Sequence, residues 1–300
     1  MVQLKVSKRG SPLTGGFELL DFLILFFLVF FAGVIVLPFI SVIATSFSTQ
    51  REYMLTPILL FPREPTLFNY EKLFADGRIW TGYRTTFTFL ILAVPLNMFL
   101  TTSVAYGLSK TGFPGKKFFT YAIVFTMLFN GGIVPMYLLM RDLNLINSAW
   151  SVVLASGINT FFMIIMRTNI AAIPESLIES AKLDGASEWR ILAQMILPLS
   201  MPIIATLILF YSVDRWNEWY NPMIFIRKPD LQALQLVLRS IVIDSRITDT
   251  MSVSVANVEI SFIDGMKMAC VMVTMLPVMC VFPFLQRYFV KGMLIGAIKA

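Results

Sequence analysis

The sequence predicts an all-α integral membrane protein of six transmembrane helices with both termini in the cytoplasm. Three observations lead there. The 300 residues are 57% hydrophobic and only 14% charged, whereas soluble proteins run near a quarter charged, and a soluble fold would leave that apolar surplus on its surface. Six runs of about twenty mostly apolar residues are each long enough to cross the hydrocarbon layer as a helix, which satisfies its own backbone polar groups there. The short loops alternate between a cluster of Lys and a single Arg, the asymmetry that sets orientation.

The first run covers 22–43. Lys5, Lys8 and Arg9 precede it and place the N-terminal stretch 1–21 in the cytoplasm. Its apolar core is too long for a signal sequence and no small-residue cleavage site follows cleanly, so it reads as a retained helix. Residues 46–84, with Pro57, Pro62 and Pro65 among mixed charges, form a sizeable external loop. A second span over 85–108 contains Pro95 and Asn97, which must face protein or water rather than lipid. Lys110, Lys116 and Lys117 crowd the next turn with Gly112, Pro114 and Gly115, an inside signal. The third span, 118–140, is interrupted by Asn130-Gly131-Gly132 and Pro135. A short outer turn leads to the fourth span, 150–167, which contains Asn159. The polar segment 168–197 returns to the inside. The fifth span, 198–220, ends in Asp214-Arg215-Trp216-Asn217-Glu218-Trp219-Tyr220. A second external loop, 221–264, includes a helical-looking stretch at 231–243. The sixth span, 266–289, completes a transmembrane domain of 22–290, and 291–300 is a cytoplasmic tail.

Several chemistries are excluded or weakened. There is no His, so no imidazole relay, His-based triad or His metal site; neither a catalytic nor a metal-binding residue is expected. Cys270 and Cys280 would lie roughly 15 Å apart on a helix, too far to bridge, and read as buried small hydrophobes. Neither GxxxxGK[ST] nor GxGxxG occurs, so the chain does not cradle nucleotide phosphates itself. The net charge of +6 reflects basic residues flanking spans, and no nucleic acid partner is implied; the partner is membrane lipid.

The inner segment is too ordered for a simple connector. Pro174 suits the first position of a helix and Glu175 favours the positive end of its dipole. Leu177, Ile178 and Ala181 fall on one side at helical spacing. Gly185 can take the left-handed conformation that ends a helix, and Ser187 suits the N-cap of a second helix running into Pro198. The physics alone leaves two readings, an amphipathic connector on the membrane surface or a rigid element that another protein moves.

The pattern Glu-x-Ala-x₃-Gly-x₁₁-Leu-Pro at Glu179, Ala181, Gly185, Leu197 and Pro198 resembles the EAA loop of ABC importer permeases, with Ser180 and Met195 as departures from that signature. The resemblance extends over most of the chain. Phe129-Asn130-Gly131-Gly132-Ile133-Val134-Pro135, Ile164-Ile165-Met166-Arg167 and Asp184-Gly185-Ala186-Ser187 are similar to the carbohydrate-uptake branch, the relatives of the second maltose permease. The tail from Lys291 to Lys299, with Gly292 and Gly296, is similar to that branch's C-terminal KGxxxGAxK segment, whose usual final Gly is Ala300 here. Within the branch the chain looks most like the second permeases of bacterial alginate importers.

The resemblance implies a type I ABC importer permease fold in a bacterial inner membrane. It also implies a homologous second permease, two ATPase subunits that carry the ATP and Mg, and an extracytoplasmic solute-binding protein. Glu179, Ser180, Ala181, Asp184, Gly185, Ala186, Trp189, Leu197 and Pro198 would couple to an ATPase subunit, and Lys291, Gly292, Gly296 and Lys299 would insert between the two.

Polar residues inside spans are costly and are pathway candidates by default. Asn97, Asn130, Asn159 and Asn217 are the clearest, though interhelical hydrogen bonding for packing is the competing reading. Asp214, Arg215 and Glu218 lie near the outer end of the fifth span, and Arg215 and Glu218, three apart, can pair on one helix face; they read as a structural ion pair or an exposed mouth, with a substrate site as the alternative. Trp216, Trp219 and Tyr220 read as an interfacial belt, with sugar stacking as the alternative. A secondary transporter is the competing function, but no Asp or Glu lies deep in the first four spans to hold a coupling ion. A membrane enzyme lacks an acid–base cluster.

Overall fold

The computed structural model describes residues 19–56, 59–75, 77–251 and 262–297. Among these, every regular element is a helix. Lys5, Lys8, Arg9, Pro57 and Lys299 lie outside the described residues.

Helix α1, Leu19–Ser46, is apolar around its circumference. At 28 residues it is about 42 Å long, more than a hydrocarbon layer needs. It packs on α15 but leaves Phe22 to Phe39 largely exposed, as expected of a helix whose solvent is lipid. Short helices α2, Gln50–Leu55, and α3, Phe68–Ala75, occupy the stretch expected as an external loop. Asn69 of α3 is buried there, and its side-chain amide donates to Ser46 O and Ser48 O at 3.0 and 3.1 Å.

Helix α4, Gly77–Ser109, organises the rest. It begins eight residues before the expected 85 and runs 33 residues without a break, despite Pro95. Thr86, Phe89, Ala93, Asn97, Thr101, Ala105 and Leu108 are buried along one stripe at helical spacing. Mostly small side chains let neighbouring backbones come close. At Gly82 the approach is close: a Cβ there would stand 3.0 Å from Leu234 Cα. Against α4 pack α7, Ala149–Ala155; α8, Thr160–Ala171; α12, Met201–Trp216; and α14, Leu234–Met251.

Among the described residues, three helices, α1, α4 and α15 (Ile263–Ala297), are long and apolar enough to cross a membrane. Three bent pairs bring the total to six if each pair is one span. Here the structure corrects the sequence reading of the fourth span, which drew it as continuous. Helices α5, Lys116–Leu128, and α6, Ile133–Asp142, meet at 111°, and the break falls on the expected Asn130-Gly131-Gly132. Helices α7 and α8 meet at 57° across Ser156–Asn159, and the run Glu188–Leu199 meets α12 at 84°. Helix α13, Tyr220–Phe225, and a 3₁₀ turn at Pro229–Leu231 lead to α14, which extends beyond the expected 231–243.

The α7–α8 break shows how a bend survives in an apolar setting. Its freed backbone groups must be satisfied by protein. Asn159 N donates to the Tyr211 hydroxyl at 3.1 Å, and Tyr211 shares a second hydrogen bond with Thr101 at 2.6 Å. The Asn97 amide nitrogen, in the orientation its neighbours require, donates to Gly157 O at 3.2 Å and to Ala93 O at 3.0 Å.

Other local expectations need correction. Trp216 is 5% exposed and donates from Nε1 to Thr274 O at 3.2 Å; it is a core residue, not part of an interfacial belt. Trp219 instead stacks under the Arg239 guanidinium at 4.0 Å. Arg215 is buried, 2.9 Å from Asp214 and 3.5 Å from Glu218, so the expected pairing forms inside the fold rather than at an open mouth. Cys270 is buried as expected, but Cys280 is exposed.

Candidate functional site, a helical hairpin clamped to a long helix

Helix α9, Glu175–Leu183, and the run comprising α10, Glu188–Ile191, a π-helical segment Leu192–Ile196 and α11, Leu197–Leu199, form a helical hairpin. Pro174 sits at the N-cap, one position before the expected first turn. The turn is closed by backbone chemistry. Gly185 has φ +79°, a left-handed conformation that a side chain would strain. Its N–H donates to Lys182 O at 3.0 Å, while Ala186 N–H reaches back to Ala181 O at 3.0 Å, the paired bonds of a Schellman turn. Ser187 caps α10 as expected, its hydroxyl accepting Arg190 N–H at 3.4 Å.

One side of the hairpin is anchored. Ile191, Leu192 and Ile196 are buried with Met163, Met166 and Ile170 of α8, Ala105, Tyr106 and Leu108 of α4, and Leu207 of α12, while Ile178, Ala181 and Ala186 pack on this cluster. Leu177, expected on the same side, is exposed. The other side is bare. Leu183 is 90% exposed and Trp189 66% exposed at the tip, flanked by exposed Glu179, Asp184 and Gly185.

A polar clamp joins the hairpin to the end of α4. Glu188 Oε2 accepts the Tyr106 hydroxyl at 2.7 Å and pairs with Lys110 Nζ. Its Oε1 lies 3.2 Å from Lys182 Nζ of α9. The Lys110 hydrogen bond is the main cause holding the Glu188 carboxyl far down, to about 2; Tyr106 and Lys182 add to this while partial burial opposes it. Lys110 also stands 4.6 Å over the Tyr106 ring. Below the clamp, Glu175 Oε1 accepts the Thr111 hydroxyl at 2.7 Å.

Neighbouring cations finish the helix end. Arg167 Nε donates to Leu108 O at 3.3 Å, and Lys116 Nζ to Ser109 O and Lys110 O at 3.3 and 3.0 Å. The last carbonyls of α4, which have no partner within the helix, are thereby satisfied by positive charge at the negative end of its dipole. Between hairpin and α4 lies a cavity of about 390 Å³, lined by Tyr106, Lys110, Thr111, Glu175, Ile178 and Lys182.

Of the expected coupling residues, Glu179, Ser180, Ala181, Asp184, Gly185, Ala186, Trp189, Leu197 and Pro198 all fall on the hairpin or its return. Leu183, Glu188 and Tyr106 are not singled out by the sequence, and Lys110 only as a charge marking the inside. Glu188 carries one signal, an acid directly after a Ser cap; nothing in the sequence around Tyr106 or Lys110 marks them as its partners. Lys291, Gly292 and Gly296 belong to α15, which continues through Ala297 instead of stopping at the sixth span.

The four asparagines separate. Asn97 bonds the α7–α8 break, and Asn159 caps α8 by accepting Phe161 N and Phe162 N at 3.0 and 3.3 Å. Asn217 donates to Val213 O and accepts from Gln235 at 3.3 Å. Asn130 is exposed at the α5–α6 break, accepting Gly132 N at 2.9 Å.

This architecture has close counterparts among known proteins. The family described as "Binding-protein-dependent transport system inner membrane component" matches residues 17–295. The polygalacturonan/rhamnogalacturonan transport system permease protein YtcP of Bacillus subtilis is 37% identical over 94% of this chain and 99% of its own length. Protein LplC of the same organism is 35% identical over 89% and 90%. In a crystal structure of a bacterial ABC transporter involved in the import of the acidic polysaccharide alginate, one chain superposes with a TM-score of 0.82 at 27% identity, covering 93% of this chain and all of that one. With a match over nearly its whole length and relatives above 30% identity, the chain belongs to the family of binding-protein-dependent transport system inner membrane components.

Proposed function

We propose that this chain is the permease subunit of an ATP-driven ABC importer for acidic oligo- or polysaccharides. The observation that carries the reading is the hairpin: a turn locked by Gly185 holds Leu183 and Trp189 out in solvent while the opposite face is buried on α4, α8 and α12. An exposed large apolar pair on a rigid support is what a docking partner takes up. That partner is an ATPase subunit, whose closure moves the hairpin and exposes the pathway alternately to each side. ATP and Mg bind on the ATPase subunits; this chain contributes movement and a path, not catalysis.

The assembly comprises a second, homologous permease, two ATPase subunits and an extracytoplasmic solute-binding protein, in a bacterial inner membrane with both termini of this chain in the cytoplasm. The α15 segment with Lys291, Gly292 and Gly296, together with Lys299, reaches the ATPase pair. The acidic cargo is supported by two relatives, one named for polygalacturonan and rhamnogalacturonan, the other part of an importer of alginate, since these polymers share uronate carboxylates. Asn130 is the asparagine assigned to the pathway; Asn97, Asn159 and Asn217 hold broken or terminating helices.

The test is uptake by the complete complex in liposomes, with ATP inside and the binding protein outside, using uronate and neutral oligosaccharides in parallel. ATP-dependent accumulation of the uronate series is expected. Accumulation driven by an ion gradient and indifferent to ATP would sink the reading; neutral sugars preferred over uronates would sink the cargo assignment alone.

A further inference from the structure

The hairpin is joined covalently to α8 at one end and to α12 at the other, and is also held on α4 by side chains. The covalent route to α12 passes through the π-helical segment Leu192–Ile196 and then an 84° bend at Ser200. Widened helical turns and sharp bends are points of give. The route to α4 is not covalent. Glu188 sits at the first position of α10, and its carboxylate binds Tyr106 and Lys110 at the end of α4 and Lys182 on α9. Charge-assisted bonds of this kind are short and directional.

Beyond the clamp, α4 continues as one helix of 33 residues. It supplies residues to all three buried clusters: Ala105, Tyr106 and Leu108 to that under the hairpin, Ile79 to that with Trp216 and Leu234, and Phe89 to that with Val152 and Ile226. A displacement of α4 therefore reaches each cluster without crossing a helix break, whereas a displacement of α12 begins behind one.

We infer that Glu188 is a positioning residue that hands the movement of the hairpin to α4 through Tyr106 and Lys110, making α4 the element the ATPase drives. The inference rests on the proposed importer function and adds which membrane helix receives the movement and which side chain delivers it. The acid is suited to the task because it stays ionised: Lys110, Tyr106 and Lys182 keep its carboxyl far below cytoplasmic pH. Tyr106, Lys110 and Lys182 also line part of the cavity between hairpin and α4, so the clamp spans this opening beside the apolar contacts that Ile191, Leu192 and Ile196 make with α4.

The experiment uses the complete complex in liposomes and reads two quantities, uptake per ATP hydrolysed and the amount of ATPase subunit that co-purifies. In Glu188→Gln, uptake per ATP is expected to fall about fivefold, while the ATPase subunits co-purify in wild-type proportion. Glu188→Asp, which keeps the charge, should recover part of the loss. Adding Lys110→Met to Glu188→Gln should cost nothing more, because both remove the same link. Unchanged uptake per ATP in Glu188→Gln, additive losses in the double variant, or loss of ATPase subunits on purification would each overturn the inference. If the wild-type complex itself shows no ATP-driven uptake, the importer reading fails beneath it; normal wild-type uptake with an indifferent Glu188→Gln overturns the inference alone.

Discussion

The Tyr211 hydroxyl accepts the backbone N–H of Asn159 at 3.1 Å, across the break between α7 and α8. The same hydroxyl bonds Thr101 of α4 at 2.6 Å, so one phenol ties α12 both to the bend and to α4. Tyr211→Phe keeps the ring and orphans the Asn159 N–H in a part-buried site. We expect a loss of about 1–3 kcal/mol, read as a lowered thermal midpoint of the purified complex. A midpoint equal to wild type would show that this N–H has another partner.

Gly82 marks a close approach of α4 and α14. A methyl group there meets the Leu234 backbone at 3.0 Å, and backbone on both sides leaves little room to yield. Gly82→Ala should cost about 1–3 kcal/mol through overpacking, even though Ala is the better helix former. Thermal unfolding of Gly82→Ala beside Gly107→Ala, which meets nothing within 4 Å, separates overpacking from helix propensity; equal midpoints would refute the packing account.

Trp189 and Leu183 form the bare tip of the hairpin, and neither joins a buried cluster. Trp189→Ala should weaken the association of ATPase subunits by about 2 kcal/mol, roughly thirtyfold. The permease's own thermal midpoint should not move. Titration of purified ATPase subunits onto the reconstituted permease pair measures this, and wild-type affinity in both Trp189→Ala and Leu183→Ser would place docking elsewhere.

The Glu188 clamp has a defined pH dependence. Its carboxyl in the fold is lowered from 4.5 to about 2, so the bonds stabilise the fold fully above the unfolded value. That contribution is lost as pH falls through the folded one. The difference in thermal midpoint between wild type and Glu188→Gln should be constant from pH 8 to about 5 and shrink progressively below about 4.5. A difference that already fades near neutral pH would mean that the carboxyl is not held by these partners.

Much of the fold is legible in sequence because it depends on the residue and its near neighbours. The apolar length of α1, the interruption at Asn130-Gly131-Gly132, the left-handed turn at Gly185 and the Ser187 cap are all local properties, and each appears in the structure where its residues predict it. The bend at Ser156–Asn159 was not legible. It contains one Gly and no Pro, and it holds because Tyr211 and Asn97, 52 and 60 positions from the groups they bond, satisfy the backbone it frees. Trp216 misled for the same reason: a Trp at the end of an apolar run has the composition of an interfacial anchor, and only the Thr274 carbonyl across from it makes it a core residue.

The sequence by itself determined that this chain lives in a membrane, how many apolar runs it has, and where its hairpin turns, since hydropathy and backbone conformational preference act over one helix length or one turn. The tertiary structure decided which helices bend, which asparagines hold backbone and which stand exposed, and that Glu188 grips α4. Tyr106 and Glu188 are 82 positions apart. Nothing in either residue's surroundings along the chain names the other; their bond exists because the packing of α8 and the hairpin against α4 brings a carboxylate, a phenol and an ammonium to one point.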